Sequence, residues 1–359
     1  MTHPILKTIN SDGCQSYLVG CPETRAGLLI DPKVGREALY RAMLEKYDLK
    51  LTAVFDSHTH ADHLSAATRF CGPGVELWMS AATTVDRPMR LLAHGDQVSL
   101  GKLSFEAIEV PGHTPDSIAL FGEGLLFSGD SLFIGGLARA DFVGSDPAQL
   151  FDSIQERLMS LPGKTLLMPG HGYNDILFST IDCERELNEQ LRHANGAAYA
   201  QSLKATPGAG NSAGVNATLK LNLQTDPELP ESPGNVAACC ASSSSSTKFK
   251  LEEVFPQDAQ AVRDALASPE RWLDVRDAFE FESGRISGTA NIPLSELGFH
   301  LESLRSDDPL YLSCRTGVRS VTAAKTLLRL GVLSHPVNIA GGIIAWQDQG
   351  FSIEGVPAT

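Results

Sequence analysis

The first half of the chain is written in short apolar runs, each stopped by a polar or turn-forming residue. AGLLIDP (26–32), LTAVFDSH (51–58), LSFEAIEVPGH (103–113), IALFGEGLLFSGD (118–130) and TLLMPGH (165–171) share this form, which predicts strands that deliver Asp and His at their carboxyl ends, on loops along one rim. Between them, GREALYRAMLEKYDL (35–49), PAQLFDSIQERLMSL (147–161) and DCERELNEQLRHANG (182–196) place apolar residues three and four positions apart, the spacing of helices that cover sheets. Towards the carboxyl end, RWLDVRD (271–277) and PLYLSC (309–314) read as strands and SVTAAKTLLRLG (320–331) as a helix closed by Gly331. Strand and helix alternate there, so a small α/β domain with a parallel sheet is expected.

The texture changes between the two parts. ATPGAGNSAGVNAT (205–218) and TDPELPESPGN (225–235) are rich in Gly, Pro, Asn and Ser, and Ser242–Ser246 follow. The sequence therefore predicts one domain over residues 1–241 with an irregular tail from 205, a Ser-rich linker at 242–247 and a second domain over 248–359. A length of 359 residues suits two domains, and 42% hydrophobic with 20% charged residues is an ordinary globular composition. The net charge of −14 repels phosphate backbones and anionic membranes, which argues against nucleic-acid or membrane partners. No run approaches the ~18 apolar residues of a membrane helix, and MTHPILKTIN lacks the apolar stretch of a signal peptide, so a cytoplasmic protein is expected. A homo-oligomer is compatible with all of this. Seven scattered cysteines do not form a disulfide framework.

Five of the ten histidines fall in three motifs: His58, His60 and His63 in SHTHADH, His113 in PGHTPD and His171 in PGHGY. Asp62 belongs to the first, and Asp130 stands in FSGDSLF. In HxHxDH the first two imidazoles lie two residues apart on an extended segment and point the same way, with the DH pair one turn further on. All seven groups follow expected strands, and His with carboxylate suits Zn(II) or Fe(II).

These motifs, together with SYLVG, LIDP, VPGHTPDS, ARADF and their order, resemble the metallo-β-lactamase superfamily, and within it the glyoxalase II and persulfide dioxygenase branch. The resemblance implies an αββα sandwich over residues 1 to about 240, with a metal site at one rim. For a persulfide dioxygenase it implies one Fe(II) held by His58, His113 and Asp130, with His60, Asp62, His63 and His171 orienting ligands or binding water. The same residues equally supply a dinuclear Zn hydrolase: His58, His60, His113 and Asp130 for one ion, and Asp62, His63, His171 and the bridging Asp130 for the other. Arg139 and Tyr173 stand where related enzymes place contacts to glutathione. The segment that usually reads GRTDF carries Ala138 and Ala140 instead, and the tail has LNLQ and PGN.

Cys314 ends an expected strand and opens CRTGVRS, which leads directly into a helix. Inward backbone N–H groups and the helix dipole stabilise a thiolate or an anionic persulfide there. Arg315 and Arg319 flank the loop and suit an anionic donor such as thiosulfate. WLDVRDAFEFESGRISGTANIPL, YLSCRTGVRS and NIAGGIIAW together resemble a rhodanese domain. The whole chain resembles bacterial persulfide dioxygenase and rhodanese fusion proteins. That resemblance implies oxidation of glutathione persulfide by O2 to sulfite and glutathione, with Cys314 moving sulfur between thiosulfate and glutathione. A zinc thioester hydrolase fused to a sulfurtransferase is the enzymatic alternative, and a rhodanese module that only docks a partner is the other. The remaining six cysteines read as structural or incidental.

Overall fold

In the computed structural model CQSYLVG is a strand, Cys14–Gly20, with all seven residues buried, so both its faces are covered. Alternate side chains explain how. Leu18 packs with Leu29 and Val54 against Tyr40 and Leu44 of helix α1 (Glu37–Lys46). Tyr17, on the opposite face, meets Phe127 of the facing sheet edge-on, with ring centroids 5.2 Å apart. One layer is thus a sheet whose outer face carries a helix and whose inner face meets a second sheet. The description covers residues 3–11, 13–172, 175–204, 218, 220–223, 251–258 and 271–355. The serine run and most of the tail before it lie outside the described residues.

Among the described residues the first sheet runs in spatial order β1 (Ile5–Ser11), β2 (Cys14–Gly20), β3 (Ala26–Ile30), β4 (Lys50–Phe55), β5 (Glu76–Ser80) and β6 (Arg90–Leu92). Its first three strands are antiparallel, and β3 to β6 are parallel. The second sheet contains β7 (Gln97–Leu100), β8 (Leu103–Glu109), β9 (Ile118–Gly122), β10 (Leu125–Gly129), β13 (Leu166–Pro169) and β14 (Ser179–Thr180), in the order β14-β13-β10-β9-β8-β7. A short hairpin, β11 (Leu132–Phe133) and β12 (Gly136–Leu137), follows β10. The architecture is the expected αββα sandwich, and the expected strands are all present. Asp31 follows β3, residues 56–63 follow β4, His113 follows β8, Asp130 follows β10 and His171 follows β13. Among the described residues no helix is long and apolar enough to cross a membrane.

Two expected helices differ in detail. PAQLFDSIQERLMSL begins as α2 (Pro147–Ser153), capped by Asp146, whose carboxylate accepts from the N–H groups of Ala148 and Gln149. It then widens into a π-helical turn, Ile154–Leu158. Ser153 and Arg157 donate to the carbonyls of Pro111 and Glu109, so this helix is sewn to the chain that leads into His113. DCERELNEQLRHANG is not one helix. It breaks at Asn188 into α3 (Ile181–Leu187) and a 3₁₀ turn, Glu189–Arg192. The fully buried Asn188 side chain accepts from Gln190 N–H and donates to Gly136 O and to Glu184. That side chain satisfies polar groups across the hairpin instead of continuing the helix.

Among the described residues the second unit has a five-stranded sheet in the order β15 (Glu252–Val254), β19 (Pro336–Ile339), β18 (Leu310–Ser313), β16 (Trp272–Asp274) and β17 (Ala290–Asn291). Every strand pair in it is parallel, as expected from the alternation. At the end of β16 the buried Arg276 pairs with Asp274 and donates to Gly284 O 2.7 Å away. The helix Val318–Arg329 closes at Gly331, which takes φ +59°.

Gly112, immediately before His113, adopts φ +140°, and a Cβ there would lie 2.3 Å from both Cα and N of Leu150 in α2. Gly112→Ala should therefore cost about 3 kcal/mol from strain and overlap with backbone. Gly124 also has positive φ, +77°, but faces open space, so Gly124→Ala should cost only about 1 kcal/mol. Urea denaturation of both variants checks the pair, and equal losses would mean that the close approach to α2 contributes nothing.

Candidate metal centre and cysteine loop

Three polar residues outside the histidine motif hold it in shape. Asp31, at φ +48° just after β3, accepts from Ser57 N–H at 2.7 Å and from the Ser57 hydroxyl at 2.9 Å, and its Oδ1 lies 3.2 Å from His60 Nε2. Asp116 accepts from Thr59 N–H at 3.1 Å and from the Thr59 hydroxyl at 2.6 Å. Asn222 donates to the carbonyls of His60 and His63, at 2.7 and 2.8 Å, and accepts from Ser65 N–H. SHTHADH is thus clamped from three directions.

The clamps also fix which imidazole nitrogens face the site. Ser57 has one hydroxyl proton and gives it to Asp31, so its oxygen accepts from His58 Nδ1–H 3.0 Å away. His58 Nε2 then carries a lone pair, and it is buried without a hydrogen-bond partner. His113 Nδ1 donates to the Arg139 carbonyl at 2.8 Å, which frees its Nε2 in the same way. That Nε2 lies 3.8 Å from Asp130 Oδ2, another buried atom without a hydrogen-bond partner. His58, His113 and Asp130 offer ligand atoms within 4.8 Å of one another. Burial, reinforced by His60 and His113, pushes His58 well below its ordinary pKa and keeps it neutral. Burial raises Asp130, but the charge and hydrogen bond of His171 outweigh it and hold the carboxyl well below the usual range. Buried orphaned donors facing one point are what a cation satisfies, and two imidazoles with one carboxylate fit divalent iron or zinc.

The other expected residues converge on the same place. His171 spans two carboxylates, Nδ1 at 2.9 Å from Asp130 and Nε2 at 3.2 Å from Asp62. His63 Nδ1 lies 3.1 Å from Asp62. Strand β2 positions the His171 turn: Gln15 N–H donates to Gly170 O, and Gly172 N–H donates to Gly13 O. The same pairing sets Cys14 opposite His171, with its Sγ 3.3 Å from Asp62 Oδ2 and 3.9 Å from Lys33 Nζ. Arg139 serves the site first through its carbonyl, while its guanidinium pairs with Asp141 at 2.6 Å. Tyr173 lies outside the described residues.

In the second unit Cys314 ends β18 and is fully buried. Its Sγ accepts from Gly317 N–H at 3.2 Å and lies 3.5 Å from Ser320 Oγ, at the start of the helix Val318–Arg329. Its carbonyl accepts from Ile343 N–H. Arg315 is exposed. Arg319 forks onto Glu280 with contacts of 2.6 and 2.8 Å, and the hydrogen bond from Arg319 holds Glu280 below its ordinary pKa.

Residues 10–171 match the family model of the metallo-beta-lactamase superfamily. The chain is 32% identical over 180 residues to the mitochondrial persulfide dioxygenase ETHE1 of Homo sapiens, covering 49% of this chain and 70% of that protein. The chain belongs to the metallo-beta-lactamase superfamily. It is also 35% identical over 235 residues to the hydroxyacylglutathione hydrolase of Xanthomonas oryzae pv. oryzae, covering 64% of this chain and 87% of the relative. Among solved structures, ETHE1 from Myxococcus xanthus superposes with a TM-score of 0.58 at 29% identity, over 61% of this chain and 98% of that one. Residues 258–349 match the rhodanese-like domain model. The superfamily domain is therefore followed on the same chain by a rhodanese-like domain.

For this superfamily member the motif residues were visible in sequence, whereas Asp31, Asp116, Asn222 and Cys14 were not singled out. Asp31 and Asp116 stand inside quoted motifs, LIDP and TPD, and Asn222 inside LNL, so the signal was present without a role attached. Asn222→Ala strands two buried carbonyls and one N–H and should cost about 3 kcal/mol. It should also loosen metal retention without touching a ligand. Denaturation and metal analysis read the two effects, and unchanged values in both would place the clamp elsewhere. In the rhodanese-like domain the Glu280–Arg319 pair gives a pH-dependent term. The folded pKa of Glu280 is below its unfolded value of ~4.3, so the pair stabilises above that pH and the contribution is lost as pH falls through the folded value. Between neutral pH and ~3.5, wild type should lose more stability than Glu280→Gln; parallel losses would show that the pair carries no such term.

Proposed function

We propose that the superfamily domain binds a single Fe(II) through His58, His113 and Asp130 and oxidises glutathione persulfide: persulfide, O2 and water give glutathione and sulfite. The rhodanese-like domain exchanges sulfane sulfur between thiosulfate and glutathione through Cys314. The observation that carries the reading is the buried trio itself, the imidazoles of His58 and His113 and the carboxylate of Asp130, whose ligand atoms lie within 4.8 Å of one another. With a divalent ion this set has a net charge of about +1, which attracts an anionic sulfur into an otherwise acidic protein. A bound Fe(II) supplies open positions and redox capacity for joining O2 to sulfur.

The chain's own groups do the rest. Asp31 and Asp116 keep the His58 loop rigid, and the Arg139 carbonyl fixes the His113 tautomer. His171, held between Asp62 and Asp130, orients the carboxylate, while His60 and His63 are anchored on Asp31 and Asp62. Arg139 and Tyr173 receive the carboxylate and backbone of glutathione. In the second domain the Cys314 thiolate attacks the outer sulfur of thiosulfate: the S–S bond to the sulfonate breaks, sulfite leaves with the electron pair, and Cys314 becomes a persulfide. Glutathione attacks that outer sulfur, giving glutathione persulfide and restoring the thiolate. Gly317 N–H faces the sulfur that carries the negative charge, and Arg315 and Arg319 draw in the dianion. One domain thus makes what the other consumes.

A dinuclear zinc thioester hydrolase is the second reading, favoured by the identity to the Xanthomonas hydrolase and by the presence of Asp62, His63 and His171 beside the trio. Metal analysis of anaerobically purified protein separates them: one iron per chain for the dioxygenase, two zinc ions for the hydrolase. An oxygen electrode then tests the coupling. Wild type should consume O2 with preformed glutathione persulfide and also with thiosulfate plus glutathione. Cys314→Ser should keep the first activity and lose the second, because a serine hydroxyl cannot carry a persulfide. Iron-loaded protein that takes up no O2 with preformed persulfide would sink the dioxygenase assignment.

A further inference from the structure

The sulfur of Cys314 ends a hydrogen-bonded row that begins at the surface of the second unit. Glu253, exposed on β15, stands in register with Asn338 on β19, and its Oε1 accepts from Asn338 Nδ2 at 2.8 Å. Asn338 is 1% exposed, and its Oδ1 lies 2.7 Å from Ser320 Oγ. Ser320 is fully buried, and its hydroxyl also reaches the Gly317 carbonyl at 3.0 Å and Cys314 Sγ at 3.5 Å. Three acceptors thus compete for one hydroxyl proton.

Glu253 decides the competition. A carboxylate only accepts, so the amide nitrogen of Asn338 faces it and the amide oxygen faces Ser320. That oxygen is the nearest of the three acceptors, and the negative charge beyond it polarises the amide and strengthens it further. The Gly317 carbonyl is already engaged by Val321 N–H. Ser320 therefore gives its proton to Asn338 and turns a lone pair towards the sulfur, whose donor is Gly317 N–H at 3.2 Å. We infer that Glu253 is a positioning residue for Cys314: through Asn338 it holds the Ser320 proton off the sulfur and so keeps the thiolate a strong nucleophile. Each added donor stabilises a thiolate and weakens its attack. The inference rests on Cys314 as the reacting sulfur of the proposed transfer, and it adds to that chemistry a surface residue two side chains away from the hydroxyl's target.

The test uses full-length protein in alkaline buffer and follows two rates. One is alkylation of Cys314 by iodoacetamide, read by mass spectrometry of the Cys314 peptide; the other is sulfite release from saturating thiosulfate in a single turnover. In Glu253→Leu the Asn338 amide is free to turn and Ser320 can donate to the sulfur. Both rates should then fall roughly 3- to 10-fold, the share of one charge-assisted hydrogen bond that passes into the rate of thiolate attack. The thiosulfate concentration at half-saturation should not move, because Arg315 and Arg319 are untouched. Glu253→Gln, whose amide can present either end to Asn338, should fall between wild type and Glu253→Leu. Ser320→Ala has no proton to give, so adding Glu253→Leu to it should change neither rate. Equal alkylation in wild type and Glu253→Leu, or a loss that persists in the Ser320→Ala background, would overturn the inference. The graded alkylation pattern without sulfite release from any of the proteins would support it and sink the sulfur-transfer reading instead, so the two fail separately.

Discussion

The geometry of the candidate metal centre depends on two buried carboxylates, Asp31 and Asp116, that bind no metal in the proposed scheme. Asp31 and Asp116 take the N–H groups of Ser57 and Thr59, on either side of His58, and their second contacts go to the hydroxyls of the same two residues. A loop at the end of a parallel strand normally gives its polar groups to water. Here that water is excluded, and the carboxylates replace it with fixed partners. The Ser57 proton is committed to Asp31, so the His58 tautomer follows, and with it the direction of the lone pair. A chain of single-proton commitments, beginning one strand away at β3, decides which atoms converge.

The fold was legible because its rule is local. Apolar runs closed by Asp, Gly-His or Gly-Asp state both where a strand lies and what it presents, and parallel pairing of β3 to β6 places those ends on one rim. Gly331 likewise announced the end of a helix through its conformational freedom. What escaped was settled by distant partners. Asn188 breaks a helix that periodicity continues, because its side chain serves a hairpin some fifty residues earlier, at Gly136. Asn222 fixes a carbonyl 162 residues away, and no local pattern reports that. Cys14 looks like any apolar strand residue, and only the bridge to His171 turns its sulfur towards Asp62 and His63.

Charge connects the two domains in physical terms. A chain of net charge −14 repels the anions that both proposed reactions use. In the proposed scheme local sources of positive potential overcome that field: a divalent ion would exceed the charge of the Asp130 carboxylate in one domain, and backbone N–H groups with two arginines would serve in the other. The pairing of Arg319 with Glu280 orients the guanidinium without neutralising the whole loop, since Gly317 N–H still faces the sulfur and Arg315 remains exposed. In that scheme the overall acidity would act as a filter, admitting anions only where such a source is built in.

The complete burial of Cys314 has a chemical consequence of its own. A thiolate open to solvent climbs the oxidation ladder through sulfenic to sulfinic acid, and the second step is irreversible in most proteins. Under its loop, with Gly317 N–H and Ser320 on the sulfur, Cys314 meets peroxide or O2 only when the chain opens, so damage is limited by the frequency of opening. In the proposed reaction thiosulfate would pass the same gate, but its two negative charges would concentrate it at the arginines beside the loop, whereas neutral oxidants gain nothing there. Under the proposed chemistry the cover would convert a difference in charge into a difference in lifetime, favouring the sulfur that arrives as an anion.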